Sequence, residues 1–489
     1  MGRRRKDRPQ NIIFIVADSL RYDALARSDA PTLPYLEQHA TKFTQARSAG
    51  CWTLPATASM FTGLLPHEHG ATTQSRAIDE NVLTLPQRLQ ALDYETLQIT
   101  GNPATTEVFG LDRGFERTQK IWNAVDQRHR VLDTALWILS RPRIRKKVFN
   151  QKKDFIAGRL AKDVDASRAW MQSNGPVQFR LTREAIARAK RQQKGAFIFV
   201  NLMECHFPYH IADTFELASD GVYEKIRELY SLYHFIHQTR LVSHTEPIAE
   251  DMLGVLRRRQ MRAWDRFAHE LDEFVRELHE DTNNLVVFCS DHGDAFGEQN
   301  WQYHFSNVTD GGNRTPLYVL EPGQRAPQSI HTPVSMRDLN GTLLELVGAP
   351  NREPQVNLLR EPEASLSVLE SFWYNKADQT LPEYRKNQFA FINGQHKYVC
   401  RGADEWFRVD WQQMLPEPDY EPLPRGYNGI EEADLEPATR EQVRHQFNAF
   451  LEFASRVDPE FHRQQPATPN EWAPEPEADK PKNKLSAAS

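Results

Sequence analysis

The sequence predicts an α/β protein built on a mostly parallel sheet sandwiched by helices, with a small C-terminal α+β subdomain. Three observations carry this expectation. Short runs rich in Ile, Val and Phe, at Asn11–Ala17, Tyr94–Thr100, 196–203 and 284–290, each stop abruptly at polar residues. Long stretches of helical periodicity separate them, the alternation that crossover connections between parallel strands require. After about residue 365 the pattern changes to short strands and turns.

A chain of 489 residues exceeds one hydrophobic core, so a large domain with a smaller companion is expected. The divisions read as a basic N-terminal extension (1–10), a main domain (11–365) holding a basic helical insert (128–194), the small subdomain (366–462) and a disordered tail (463–489). The formal net charge of -6 offers no global basicity, so no nucleic-acid partner is expected. No run of ~20 apolar residues could span a bilayer, and the apolar run behind the basic start is too short for a signal-peptide core. Cys51, Cys205, Cys289 and Cys400 are scattered, without C-x-x-C spacing, which fits a reduced compartment and a cytoplasmic protein.

Taken in order, the first strand leads directly into Asp18, a carboxylate placed either to cap a helix or to hold a cation. Ser19, Arg21 and Asp23 are expected to shape the following turn, with Arg-carboxylate pairing. Thr53 comes two residues before Pro55, at the start of a helix expected to run to about Thr62. A threonine there caps the helix or stands where free N–H groups and the helix dipole favour an anion. As a nucleophile its hydroxyl needs a base or a metal. The second strand is followed by Gly101 and Asn102. The basic insert, with Arg141, Arg143, Arg145, Lys146, Lys147, Lys152 and Lys153, reads as a solvated helical face or as a cap attracting an anionic substrate.

The third strand is followed by Glu204 and His206. A helix over about 253–279 then places Met261, Trp264, Phe267, Leu271, Phe274 and Val275 on one apolar side. The fourth strand ends at Asp291, His292 and Gly293. Strands at 389–392, 397–400 and 406–409 and a helix over 440–456 make the subdomain. The tail, rich in Pro, Glu, Ala and Lys, cannot bury apolar surface.

Ligands of open α/β sheets bind outside the carboxyl ends of the strands, so the polar groups after these four strands should converge. Asp18, Asp291, His292 and the Thr53 oxygen would form a mixed oxygen and nitrogen shell suited to one divalent ion, Zn, Mn or Ca. Buried without a cation, the two carboxylates would repel. Glu204, His206, His210 and His304 could serve a second ion but lack a diagnostic spacing, so one is expected.

The ordered set of these motifs resembles the sulfatase family of the alkaline phosphatase superfamily. It comprises Asp18 after its strand, Thr53-Leu54-Pro55 running into Thr62-Gly63 and Pro66-His67-Glu68-His69-Gly70, His206-Phe207-Pro208-Tyr209, and Ser290-Asp291-His292-Gly293. It extends to Arg314-Thr315-Pro316-Leu317, to 334–350 and to Lys397-Tyr398. The resemblance implies an alkaline-phosphatase-like fold, metal binding by Asp18, Asp291 and His292, and Thr53 at the nucleophile position. It also implies a substrate-facing His206, a His304 that assists the leaving oxygen, and a substrate-binding Asn102. Where the family carries a Cys or Ser that becomes formylglycine, this chain has Thr53; where an Arg follows, it has Thr57. Cys51 stands two residues too early, so formylglycine is not expected. Threonine at that position resembles the phosphodiesterase and phosphoethanolamine-transferase branches. The implied function is metal-dependent hydrolysis of an anionic sulfate ester, phosphodiester or phosphonate ester through a covalent Thr53 intermediate. The alternatives are transfer of the group to an alcohol, or anion binding without catalysis.

Overall fold

The structure, a computed structural model, describes residues 9–26, 31–121, 174–207, 209, 250–281, 283–304, 307–349, 356–373, 386–411, 420–424 and 427–457. Most of the basic insert, His210 and the tail lie outside the described residues. Among the described residues, eight strands form the main sheet: β1 (Asn11–Ala17), β2 (Thr41–Phe43), β3 (Tyr94–Thr100), β4 (Arg117–Lys120), β5 (Gly195–Leu202), β6 (Asn284–Cys289), β7 (Leu317–Leu320) and β8 (Gln328–Ile330). Their order is β8-β2-β7-β6-β1-β5-β3-β4. All neighbouring pairs are parallel except those that β7 makes with β2 and β6.

The central strand is β1, and the pairing places the strand ends level. Val16 faces Cys289 on β6 and Asn201 on β5, while Thr100 at the end of β3 also faces Asn201. Asp18, Asn102 and Asp291 therefore leave the sheet at one edge, as the strand-end argument requires.

Both faces of β1 are covered. Ile13 and Ile15 belong to a core closed by α2 (Gly175–Gln192) and α3 (Glu250–Glu280) through Phe179, Trp264, Phe267 and Phe274. Ile12, Phe14 and Val16 pack on the other side with Met60 and Phe61 of α1 (Thr53–Thr62) and Leu339 and Leu343 of α4 (Leu339–Leu346). Strands buried on both faces read as continuous apolar runs, and each such Phe or Leu contributes roughly 1.5–3 kcal/mol of burial. The expected helix over 253–279 is present with slightly longer bounds, and all six residues expected on its apolar side are buried. No described helix is long and apolar enough to cross a membrane.

A second, antiparallel sheet follows: β9 (Val368–Ser371), β10 (Gln388–Asn393), β11 (His396–Arg401), β12 (Glu405–Asp410) and β13 (Glu421–Pro422). Phe447, Phe450 and Phe453 of α5 (Pro437–Val457) cover one face against Phe372, Phe389 and Trp406. The sheet is tied to the main body by charge. Lys397 on β11, fully buried, donates to Asp310 Oδ1 at 2.8 Å and to the Val308 carbonyl at 3.1 Å. Arg47 reaches the other Asp310 oxygen at 2.8 Å. These two cations hold the Asp310 carboxyl well below the usual range despite its burial.

Candidate active site

The site is built at the carboxyl ends of β1, β3, β5 and β6 and at the start of α1. Asp18 is fully buried and caps no helix. Its Oδ2 accepts from Asn102 Nδ2 at 2.7 Å, from Asn201 Nδ2 at 3.2 Å and from Thr53 Oγ1 at 3.4 Å. Ser19 follows in the left-handed region at φ 62°. That turn lets its N–H donate to Asp291 Oδ1 at 3.3 Å and its hydroxyl to Asp18 Oδ1 at 3.2 Å, so one residue links both carboxylates.

Thr53 opens α1 behind Trp52, with no side-chain cap on the helix. Its hydroxyl is thus available to the site: Oγ1 lies 3.4 Å from His292 Nε2 and accepts from Asn102 Nδ2 at 3.2 Å. Pro55 carries no N–H, and the Thr53 and Leu54 amides have no acceptor within the helix. Thr57, one turn on, is wholly buried and its hydroxyl has no hydrogen-bond partner among the described residues. Cys51 is directed elsewhere: its sulfur packs on Gly312, where an added Cβ would lie 2.4 Å from it.

His292 Nδ1 lies 3.0 Å from the Gly293 carbonyl. Donation there leaves a lone pair on Nε2, which stands 3.6 Å from both Asp18 Oδ1 and Asp291 Oδ2. This is the tautomer and orientation a metal-ligating imidazole needs. The close turn depends on Gly293, because a Cβ there would come 2.2 Å from the Gly311 carbonyl.

Electrostatics agree with a cation site. Burial and the Asp18 charge push the Asp291 carboxyl well above its usual range. Burial also acts on Asp18, but the facing His206 and His292 and the two amides outweigh it and hold its carboxyl low. Asp291 Oδ2 is buried without a hydrogen-bond partner among the described residues. Two buried carboxylates, one with an orphaned oxygen, beside an imidazole lone pair, with ligand atoms within 4.8 Å of one another, fit a divalent ion.

His206 and His304 complete the rim. His206 Nδ1 lies 2.6 Å from the Phe207 carbonyl, and its Nε2 lies 4.0 Å from Asp18 Oδ1 and 3.4 Å from the Tyr303 hydroxyl. The His304 ring lies tilted against His292 and His206, with centroids 4.6 Å and 5.3 Å away. All seven residues singled out in the sequence, Asp18, Thr53, Asn102, His206, Asp291, His292 and His304, thus come together. Glu204 does not join them; its Oε1 accepts from the Asn174 and Gly175 amides at the start of α2 at 2.9 Å and 2.8 Å. Arg21 pairs with Asp23 through two hydrogen bonds of 2.8 Å and 3.0 Å, the turn-shaping role expected of it.

Sequence reasoning missed Asn201 and Asp294. The first could have been suspected as a lone amide in an apolar strand run, and the second as a third acid directly after Asp291-His292-Gly293.

A family model described as Sulfatase matches residues 10–349. The choline-sulfatase of Rhizobium meliloti is 38% identical over 98 residues, covering 19% of this chain and 19% of that protein. The arylsulfatase K of Canis lupus familiaris is 22% identical over 439 residues, covering 83% of this chain and 76% of that protein. Among solved structures, the phosphonate monoester hydrolase SpPMH from Silicibacter pomeroyi aligns with a TM-score of 0.60 at 17% identity, covering 90% of this chain and 95% of that one.

Proposed function

This chain belongs to the sulfatase family and has an alkaline-phosphatase-like fold, and on that premise we propose that it is a metal-dependent ester hydrolase using Thr53 as its nucleophile. The family is one of ester hydrolases that generally bind a divalent metal. The observation that carries the finer reading is the position of Thr53 Oγ1, at an uncapped helix start and within 3.4 Å of both Asp18 and His292. We assign one ion, Zn, Mn or Ca, to Asp18, Asp291, His292 and the Thr53 oxygen.

A divalent ion bound there would lower the pKa of the Thr53 hydroxyl and act as a Lewis acid toward the oxygens of the transferred group. The chain's own residues do the rest. Asn102, whose two amide hydrogens go to Thr53 and Asp18, orients the nucleophile, and with substrate bound one of them would turn to a substrate oxygen. Thr53 Oγ1 releases its proton to solvent as it attacks sulfur or phosphorus in line, and the bond to the leaving oxygen breaks. A proton carried at Nε2 of His304, or of His206, goes to that oxygen. Water then cleaves the Thr53 ester and restores the hydroxyl. The substrate class is an anionic sulfate ester, phosphodiester or phosphonate ester. A reducing, cytoplasmic setting is part of the proposal, supported by four buried cysteines that form no disulfide.

The test is a panel of nitrophenyl sulfate, phosphate monoester, phosphodiester and phosphonate, followed by mass spectrometry of the quenched enzyme. Turnover with a mass increment on the Thr53 peptide is expected. Turnover with no increment there, or with the increment on another residue, would remove Thr53 from the nucleophile role.

A further inference from the structure

We propose that Asp294 is the positioning residue of the leaving-group histidine, fixing His304 so that proton exchange occurs at Nε2. This deepens the hydrolase reading and rests on it. Asp294 Oδ1 lies 2.7 Å from His304 Nδ1, and both side chains are almost wholly buried. A carboxylate has no proton to give, so Nδ1–H donates to it and that nitrogen is committed. Exchange with a substrate then falls to Nε2. Without the carboxylate, a buried Nδ1–H would lose its acceptor, and the ring could turn or change tautomer.

The carboxylate is itself held from several directions. Its second oxygen accepts from the Tyr209 hydroxyl at 2.9 Å and faces Gln260 Nε2 at 3.5 Å. Gln260 is anchored on the Ser19 and Cys205 carbonyls at 3.0 Å and 2.9 Å. Tyr209 is fully buried and sits in the left-handed region at φ 54°, a conformation that persists in a non-glycine residue only where its surroundings impose it. Arg21 fixes the backbone beneath, donating to the Asp294 carbonyl at 2.5 Å while Asp23 and Glu298 clamp its guanidinium. The element that follows Asp18 and the loop that follows His292 therefore meet at Asp294. An orienting carboxylate behind a histidine is worth large factors in rate when it sets the tautomer.

The test compares leaving groups. For Asp294→Asn, kcat on the benzyl ester of the acid turned over best should fall by about 100-fold or more, while the nitrophenyl ester of the same acid loses less than about 10-fold, because nitrophenolate leaves without a proton. KM and metal content should stay unchanged, and adding Asp294→Asn to His304→Ala should cost nothing further. A downfield imidazole proton, assigned to His304 by its loss in His304→Ala, should vanish in Asp294→Asn whatever the activity. Should the Asn protein fail to fold, Tyr209→Phe leaves the carboxylate in place and should show the same leaving-group dependence at smaller amplitude. Equal losses on both esters, loss of metal from Asp294→Asn, or additive effects with His304→Ala would overturn the proposal. A His304→Ala protein with no leaving-group dependence would instead remove His304 from its role, and a wild type inactive on every ester would defeat the hydrolase reading; either takes the proposal with it.

Discussion

Asp291→Asn should stabilise the metal-free protein and destabilise the metal-loaded one. In the metal-free fold Asp291 and Asp18 are both buried, and candidate ligand atoms of the site lie within 4.8 Å of one another. Two full charges at that separation repel by about 3.5 kcal/mol at an effective dielectric constant of about 20. The protein relieves this by keeping a proton on Asp291, whose folded pKa is raised by burial and by Asp18. A raised folded pKa means the folded state holds a proton that the unfolded chain releases, so stability is lost as pH rises through the folded value. Asparagine does not titrate. Under excess chelator the variant should therefore be more stable than wild type by about 2–3 kcal/mol at pH 8, with a gap that narrows as pH falls toward 5. With a divalent ion at about 1,000 times its dissociation constant, wild type alone gains about 4.1 kcal/mol and the order reverses. Denaturant unfolding of both proteins, with chelator and with metal, measures this. A variant less stable than wild type in chelator at pH 8, or a gap that ignores pH, would refute the reasoning.

Thr53→Ala should lower turnover by ~10⁴-fold or more, whereas Cys51→Ala should stay active and the wild-type protein should show no aldehyde at residue 51; activity assays and mass spectrometry decide both. Lys397→Met removes a buried ammonium from Asp310 and should destabilise the fold by about 3 kcal/mol, read from unfolding curves. His69 is buried against Ser59 at 3.0 Å, and burial pushes its pKa down from 6.5 to about 3. The unfolded chain then binds a proton that the folded one excludes, so stability is whole above pH 6.5 and falls by roughly 1.4 kcal/mol per unit below it. His69→Gln should flatten that slope between pH 7 and 5.

The strand-end convergence was legible because parallel strands end at one edge, so Asp18, Asn102, Asp291 and His292 needed only their positions after apolar runs. The α1 start was legible through Pro55, and its observed span is Thr53–Thr62. Other features were hidden for physical reasons. The reversal of β7 leaves no mark, since periodicity reports which residues are buried and not which way a strand runs. Asn201 matters only because pairing sets it between Val16 and Thr100. Asp294 acquires its role from Tyr209 and Gln260, contacts across many residues of chain. The left-handed turn at Ser19 belongs to a residue type with no special preference for it.

Lys397 also bears on the order in which the protein is made. The helical turn of residues 310–313 stands on Asp310, and Gly311 within it abuts Gly293, the neighbour of His292. A ribosome that has emitted residues 1–396 has already delivered every proposed ligand and the nucleophile, but not the ammonium that shares Asp310 with Arg47. The support under His292 is complete only when the antiparallel sheet arrives and docks. A nascent chain interrupted before β11 would carry the whole chemical inventory of the site on an unfinished foundation.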